Sequence, residues 1–146
     1  MIWNIALVLI AFVGMEIFSA LFHKYVMHGA LWCIHKTHHQ KQHGQGMFEL
    51  NDLFSLTFAV GAILLLILGL PAMDWRLWVA IGVIAYGTLY FIIHDIIIHR
   101  RIQWLDSVKN SYIQALRRAH KAHHAYTTQQ PGEEYGLLWV SRKYWK

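Results

Sequence analysis

The chain reads as an all-α integral membrane protein: three helical spans carrying a histidine-rich, two-metal cap on one side. Three observations predict this. There are three long apolar runs, few charges, and eleven histidines in 146 residues. Hydrophobic residues make up 56% and charged residues 14%, where a soluble domain carries about 25% charged. The length suits one domain, residues 1–146. The single cysteine, Cys33, excludes an intrachain disulfide framework, a zinc ribbon and a cysteine-ligated iron–sulfur cluster.

The first run covers residues 2–22, with Asn4, Glu16 and Ser19 as its polar members. The second covers 53–70 and stops at Pro71; the third covers 77–94. Each approaches the roughly 20 apolar residues that cross a bilayer. A soluble protein could bury one such run, but too few polar residues remain here to wrap three. The first run has no basic residue ahead of it and no small-residue cleavage site, so it reads as a retained span. Of 13 Lys and Arg, only Arg76 lies between the second and third runs. By the positive-inside rule the histidine regions 23–52 and 94–130 face the cytoplasm and the N-terminus lies outside, in an inner membrane. That rule accounts for the basic surplus, and no nucleic-acid partner is expected. Ile102 to Leu116 has apolar residues at helical spacing. It reads as an amphipathic helix, either on the membrane surface or packed under the bundle. Asp106 and Lys109 speak against its being a fourth span.

The histidines repeat. His23 and His28 form H-x-x-x-x-H, and His35, His38 and His39 form H-x-x-H-H. His94 and His99 repeat the first pattern, and His120, His123 and His124 the second; His43 is left over. On a helix, i, i+3 and i+4 share a face, so each H-x-x-H-H points at one centre. Positions i and i+5 lie about 140° apart on an ideal α-helix. Such a pair either straddles a site at a helix end or sits where the helix loosens, and spacing does not decide between these. The predicted topology gathers all ten imidazoles on one side of the membrane.

Ten close, neutral imidazoles without partners would be costly buried polar groups. Divalent metal resolves this, since imidazole suits Fe, Zn, Cu and Ni. Two ions with about five ligands each leave a position open for oxygen or water. Candidate partners for the outer ring nitrogens are Glu16, Glu49, Asp52 and Asp95, with Glu133 and Glu134 read as a solvated pair. Glu16 precedes His23 by two helical turns; it either orients a ligand or bonds to a neighbouring helix. No serine, cysteine or lysine nucleophile stands in a recognisable setting. A metal site beside lipid suits a long apolar substrate held by Phe54, Phe58, Tyr86, Tyr90 and Phe91, although each of these equally suits core packing.

The doubled pattern resembles the membrane fatty-acid hydroxylase and sterol desaturase superfamily. It is most similar to the bacterial β-carotene 3-hydroxylases, over nearly the whole chain. The likeness is carried by Gly14-Met15-Glu16, His23 to Gly29, His35 to His39, Ala85-Tyr86-Gly87, Leu89-Tyr90-Phe91, His94-Asp95, Ala119 to Ala125 and Tyr135 to Leu138. The stretch Phe48-Glu49-Leu50-Asn51-Asp52-Leu53-Phe54 narrows it to carotenoid hydroxylases. The resemblance implies a non-haem di-iron centre ligated by the ten motif histidines, with O2 as co-substrate. It implies hydroxylation of a β-ionone ring at C3, taking β-carotene to β-cryptoxanthin and zeaxanthin, with electrons from ferredoxin and its reductase. Zinc is able to replace iron during overproduction. Spacing leaves open a fatty-acid or sterol hydroxylase, a desaturase or a carotenoid ketolase on the same cluster. A membrane metal-binding or transport protein is the alternative of another class.

Overall fold

The structure, a computed structural model, describes residues 1–40, 48–105, 108, 110–130 and 132–145. His43, Lys41, Asp106, Lys109, Pro131 and Lys146 lie outside the described residues. The elements are α1 (Ile2–Phe22), α2 (Trp32–His39), α3 (Asp52–Gly69), α4 (Trp75–Tyr90) and α5 (Ser111–His124). α1 continues without a break into a π-helical segment, His23–Ala30, and α4 into another, Phe91–Ile98. No strand occurs among the described residues.

Among the described residues three helices are long and apolar enough to cross a membrane: Ile2–Ala30, Asp52–Gly69 and Trp75–Ile98. They match the three predicted runs, with the first and third prolonged through their π-helical ends. α1 buries none of its residues, and Leu9, Ile10, Ile17, Ile67 and Leu68 are all more than half exposed. In water such surfaces would be untenable; in lipid they need no cover, and helices associate through close backbone approach instead. α4 is the central helix and packs on both α1 and α3. Gly82 makes the α1 contact, because a Cβ there would overlap the Val8 carbonyl oxygen and lie 2.7 Å from the Ala11 Cβ. Gly69 does the same for the α3–α4 turn, where a Cβ would sit 2.9 Å from the Arg76 carbonyl carbon. Asp74 caps α4 by accepting from the Arg76 N–H at 3.0 Å.

The helix expected over Ile102–Leu116 begins at Ser111 and runs on to His124. Two local causes delay it. Leu105 has φ 58°, outside the helical region. Asn110 then caps the helix, its side chain accepting from the Ile113 N–H at 2.8 Å. α5 packs under the bundle: Ile113, Leu116 and Ala119 join Ile93, Ile97, Leu137 and Val140 in one core. Arg117 donates to the Ile97 carbonyl at 3.1 Å and the Val108 carbonyl at 3.2 Å. Arg118 donates to the Tyr144 carbonyl at 2.7 Å. Both arginines therefore tie the cap together.

Candidate metal centre

His23 and His28 fall in the first π-helical segment and His94 in the second, which His99 caps; there i→i+5 hydrogen bonds widen each turn by one residue. The His99 N–H donates to the His94 carbonyl at 2.9 Å, so that bond joins the two motif residues directly. Their rings lie 4.5 Å apart, and those of His23 and His28 lie 5.1 Å apart. The helix loosens at both motifs, bringing the two rings together. Gly29 ends the first segment with φ −109° and ψ −116°, which turns the chain into α2.

The motif histidines assemble into two clusters. His23, His28, His35, His39 and His123 each offer a nitrogen, and these atoms lie within 4.8 Å of one another. His38, His94, His99 and His120 do the same. His124 lies beside the second cluster, its ring centre 4.5 Å from His120, 4.7 Å from His38 and 5.0 Å from His99. It also stacks on His39 at 4.4 Å. The contributions cross over. In each H-x-x-H-H the first histidine joins the preceding H-x-x-x-x-H pair and the middle one joins the opposite cluster.

The outer hydrogen bonds of the donor set suit a bound cation. Five Nδ1 atoms face oxygen acceptors on the cap: His23 the Tyr135 carbonyl, His28 the Gln129 carbonyl, His35 the Asn51 Oδ1, His39 the Tyr126 carbonyl and His123 the Glu133 carbonyl, all at 2.7–3.0 Å. These oxygens place the proton on Nδ1, which leaves an inward lone pair on Nε2. Yet Nε2 of His35 lies 3.0 Å from that of His23 and 3.1 Å from that of His39. Two lone pairs at that distance repel; a cation between them makes the arrangement stable. In the second cluster the Nε2 atoms of His38 and His124 are buried without a partner. Burial, with neighbouring imidazoles adding to it, holds His124 at about 2, His35 and His123 at about 3 and His39 at about 4, against an ordinary 6.5. His38 and His120 are pushed down for the same reasons. Neutral imidazole is the form that binds metal, so the residues fit a metal at each cluster.

The acids of the sequence reading serve different ends. His38 Nδ1 lies 2.9 Å from Glu49 Oε2, and His94 Nδ1 lies 3.2 Å from Asp95 Oδ1. Asp52 touches no motif histidine; it joins Glu49 and Asp95 around the Arg101 guanidinium at 2.7, 3.2 and 3.2 Å respectively. Glu16 is not beside a histidine either. Its Oε1 accepts from the backbone N–H groups of Leu137, Leu138 and Trp139 at 2.8–3.1 Å, and its Oε2 from the Tyr86 hydroxyl at 2.9 Å. It thereby fastens the C-terminal tail, whose Glu133 and Tyr135 carbonyls hold His123 and His23. The Glu133 side chain pairs with Lys143 and Tyr144 and that of Glu134 with Ser141, so neither is a bare solvated acid. Arg101, Asn51 and the carbonyl acceptors were missed in the sequence. The Arg100-Arg101 pair directly after His99, in a chain with few charges, was the available signal for Arg101.

Between α1, α3 and α4 lies a cavity of about 520 Å³ whose floor includes His23, His94 and His120. Phe54, Phe58, Tyr86, Tyr90 and Phe91 all line it.

Fold and site together define a membrane-embedded polyhistidine protein with an apolar chamber opening onto its two histidine clusters. The chain belongs to the fatty acid hydroxylase family, which matches residues 8–141. It is 40% identical to a β-carotene hydroxylase of Pantoea ananas, over 95% of this chain and 78% of that protein. It is 35% identical to a β-carotene hydroxylase of Pseudescherichia vulneris, over 97% of this chain and 80% of the relative. A chloroplastic β-carotene 3-hydroxylase of Arabidopsis thaliana is 34% identical over 88% of this chain and 42% of its own length. No solved structure matches.

Proposed function

We propose that this protein hydroxylates the β-ionone ring of a carotenoid at C3, taking β-carotene to β-cryptoxanthin and then zeaxanthin. One C–H bond becomes C–OH, O2, two electrons and two protons are consumed, and the second oxygen atom leaves as water. The ligands are the ten motif histidines, as two sets of five: His23, His28, His35, His39 and His123, then His38, His94, His99, His120 and His124. Iron bound there supplies the activation of O2. The apolar walls bind the ring and exclude water; Phe22, Phe54 and Phe58 interlock at 5.3–5.6 Å on one side. Glu49 and Asp95 orient His38 and His94, and the tail carbonyls orient His23 and His123. The whole of 1–146 acts as one membrane domain. Electrons come from ferredoxin and its reductase at the cytoplasmic face, where Lys24, Lys36 and Lys121 are exposed.

The observation that carries this reading is the apolar cavity ending on histidines of both clusters, in a chain 40% identical to a β-carotene hydroxylase. The test is expression in a bacterial host that accumulates β-carotene. The expected result is pigment bearing one and then two hydroxyls, lost when His38 or His94 is replaced by alanine. Unchanged pigment, with the protein inserted and carrying iron, overturns it. Sidedness has its own test. Cys33 is the sole cysteine and is exposed on α2. A membrane-impermeant maleimide should label it in inverted vesicles and not in intact spheroplasts; the reverse pattern overturns the orientation.

A further inference from the structure

We infer that the substrate enters sideways from the bilayer, through the seam between α3 and α4, and that Gly87 sets the width of that port. The inference rests on the carotenoid reading above. A stiff polyene with a ring at each end cannot coil inside about 520 Å³. Its far ring stays outside, so the polyene must cross the cavity wall somewhere.

Two seams are shut. Between α1 and α3, Phe58 meets Phe18 and Phe22 edge-to-face, at 5.6 and 5.3 Å. Between α1 and α4 the backbones touch at Gly82, and Tyr86 fills the space below, packed on Phe12 at 5.7 Å and bonded to Ser19 at 2.6 Å. The histidine end is covered by the tail at Tyr135–Leu137. The third seam differs. α3 and α4 touch at Gly69 and Leu77, at the end remote from the histidines. Nearer the histidines the cavity-lining residues of these two helices include Ser55 and Ala59 on α3 and Gly87 and Thr88 on α4, with Ile63, Ile84 and Phe91 beside them. Ser55, Ala59, Gly87 and Thr88 all line the cavity, and all four are exposed. Small, exposed residues along one edge of the cavity leave it unsealed there. A Cβ on Gly87 would meet nothing within 4 Å, so this position borders open space. Gly87 precedes His94 by seven residues, about 10 Å along the helix. The mouth therefore opens into hydrocarbon, where a carotenoid is dissolved.

Two experiments on the full chain in membranes test this. In the first, Gly87→Ala, Gly87→Leu and Gly87→Trp are expressed in the β-carotene host beside Gly61→Trp. Gly61 is a lipid-facing control on α3 with equally open space and no place in the cavity. Hydroxylated pigment per inserted, iron-loaded chain should fall in order of size, by about tenfold or more for Trp, and stay level for Gly61→Trp. Undiminished conversion by Gly87→Trp overturns the port. The second does not use turnover. In a Cys33→Ser background the Gly87→Cys thiol should react with a lipid-soluble maleimide in pigment-free vesicles and several-fold more slowly in vesicles loaded with β-carotene. A Gly61→Cys thiol should react equally in both. Equal rates at position 87 overturn the port while wild-type conversion leaves the functional reading standing. Absence of wild-type conversion overturns that reading and the port with it.

Discussion

Arg101 is the residue on which the second cluster leans most. Its guanidinium, 10% exposed, meets Asp52 at 2.7 Å, Glu49 at 3.2 Å and Asp95 at 3.2 Å. Two of those carboxylates face the outer nitrogens of His38 and His94. Arg101→Leu removes the guanidinium that three neighbouring carboxylates share. Removing one partner of a buried pair costs about 3–5 kcal/mol, and the lower end applies because Asp52 is 29% exposed. Repulsion among the carboxylates then splays them and takes the outer partner from two rings at once. Loss of such a partner weakens metal binding about 10–100-fold, so at least that loss is expected at this cluster. The assay is cobalt(II) titration against a competing chelator, in a His23→Ala, His28→Ala background that disables the first cluster. Arg101→Lys, a single point charge without the fork, should fall between. Wild-type cobalt affinity in Arg101→Leu would refute the coupling. So would an equal loss in the reciprocal background, where His38 and His94 are the residues replaced.

Other expectations follow from the same geometry. Glu16→Ala strands three tail N–H groups, each worth about 1–3 kcal/mol when buried and unpaired. Limited proteolysis should then cut the tail sooner, and cobalt should be lost from the His23 and His123 cluster before the other; an unchanged digest refutes this. Gly82→Leu forces α1 and α4 apart at a cost of about 1–3 kcal/mol or more, read as a lower Tm in detergent, while Gly61→Leu should leave Tm within error. Metal-free protein should lose stability as pH falls from 7 towards 5. Below the ordinary 6.5 the unfolded chain takes up protons that His35, His39, His123 and His124, held at about 2 to 4, refuse. Above pH 7 both states are neutral there and no trend is expected, so a thermal midpoint that is flat from 5 to 8 contradicts the assignment.

The spans were legible because hydrocarbon thickness sets their length, and Ile2–Ala30, Asp52–Gly69 and Trp75–Ile98 answer to it. The gathering of histidines was legible from topology alone, because α1 and α4 both deliver their motifs to the same end. The crossover of His38 and His123 was not, since it depends on how α2 and α5 face each other. The loosened turns at His23–Ala30 and Phe91–Ile98 were left open by an i, i+5 spacing that fits two geometries. Outer acceptors such as the Gln129, Tyr126 and Tyr135 carbonyls are backbone atoms, and any residue type carries one. The start of α5 was misplaced because apolar spacing extends upstream of Asn110, while the cap and the φ of Leu105 decide where a helix begins.

The bond between Glu16 and the tail ties the end of the chain to its first span. Glu16 sits about two helical turns before His23 in the first span, and the backbone it holds at Leu137 to Trp139 is a foot set against that span. Trp139, 85% exposed, is the open edge of that foot. Thinning or stripping the surrounding lipid should therefore be felt first at His23 and His123, whose carbonyl props ride on that foot.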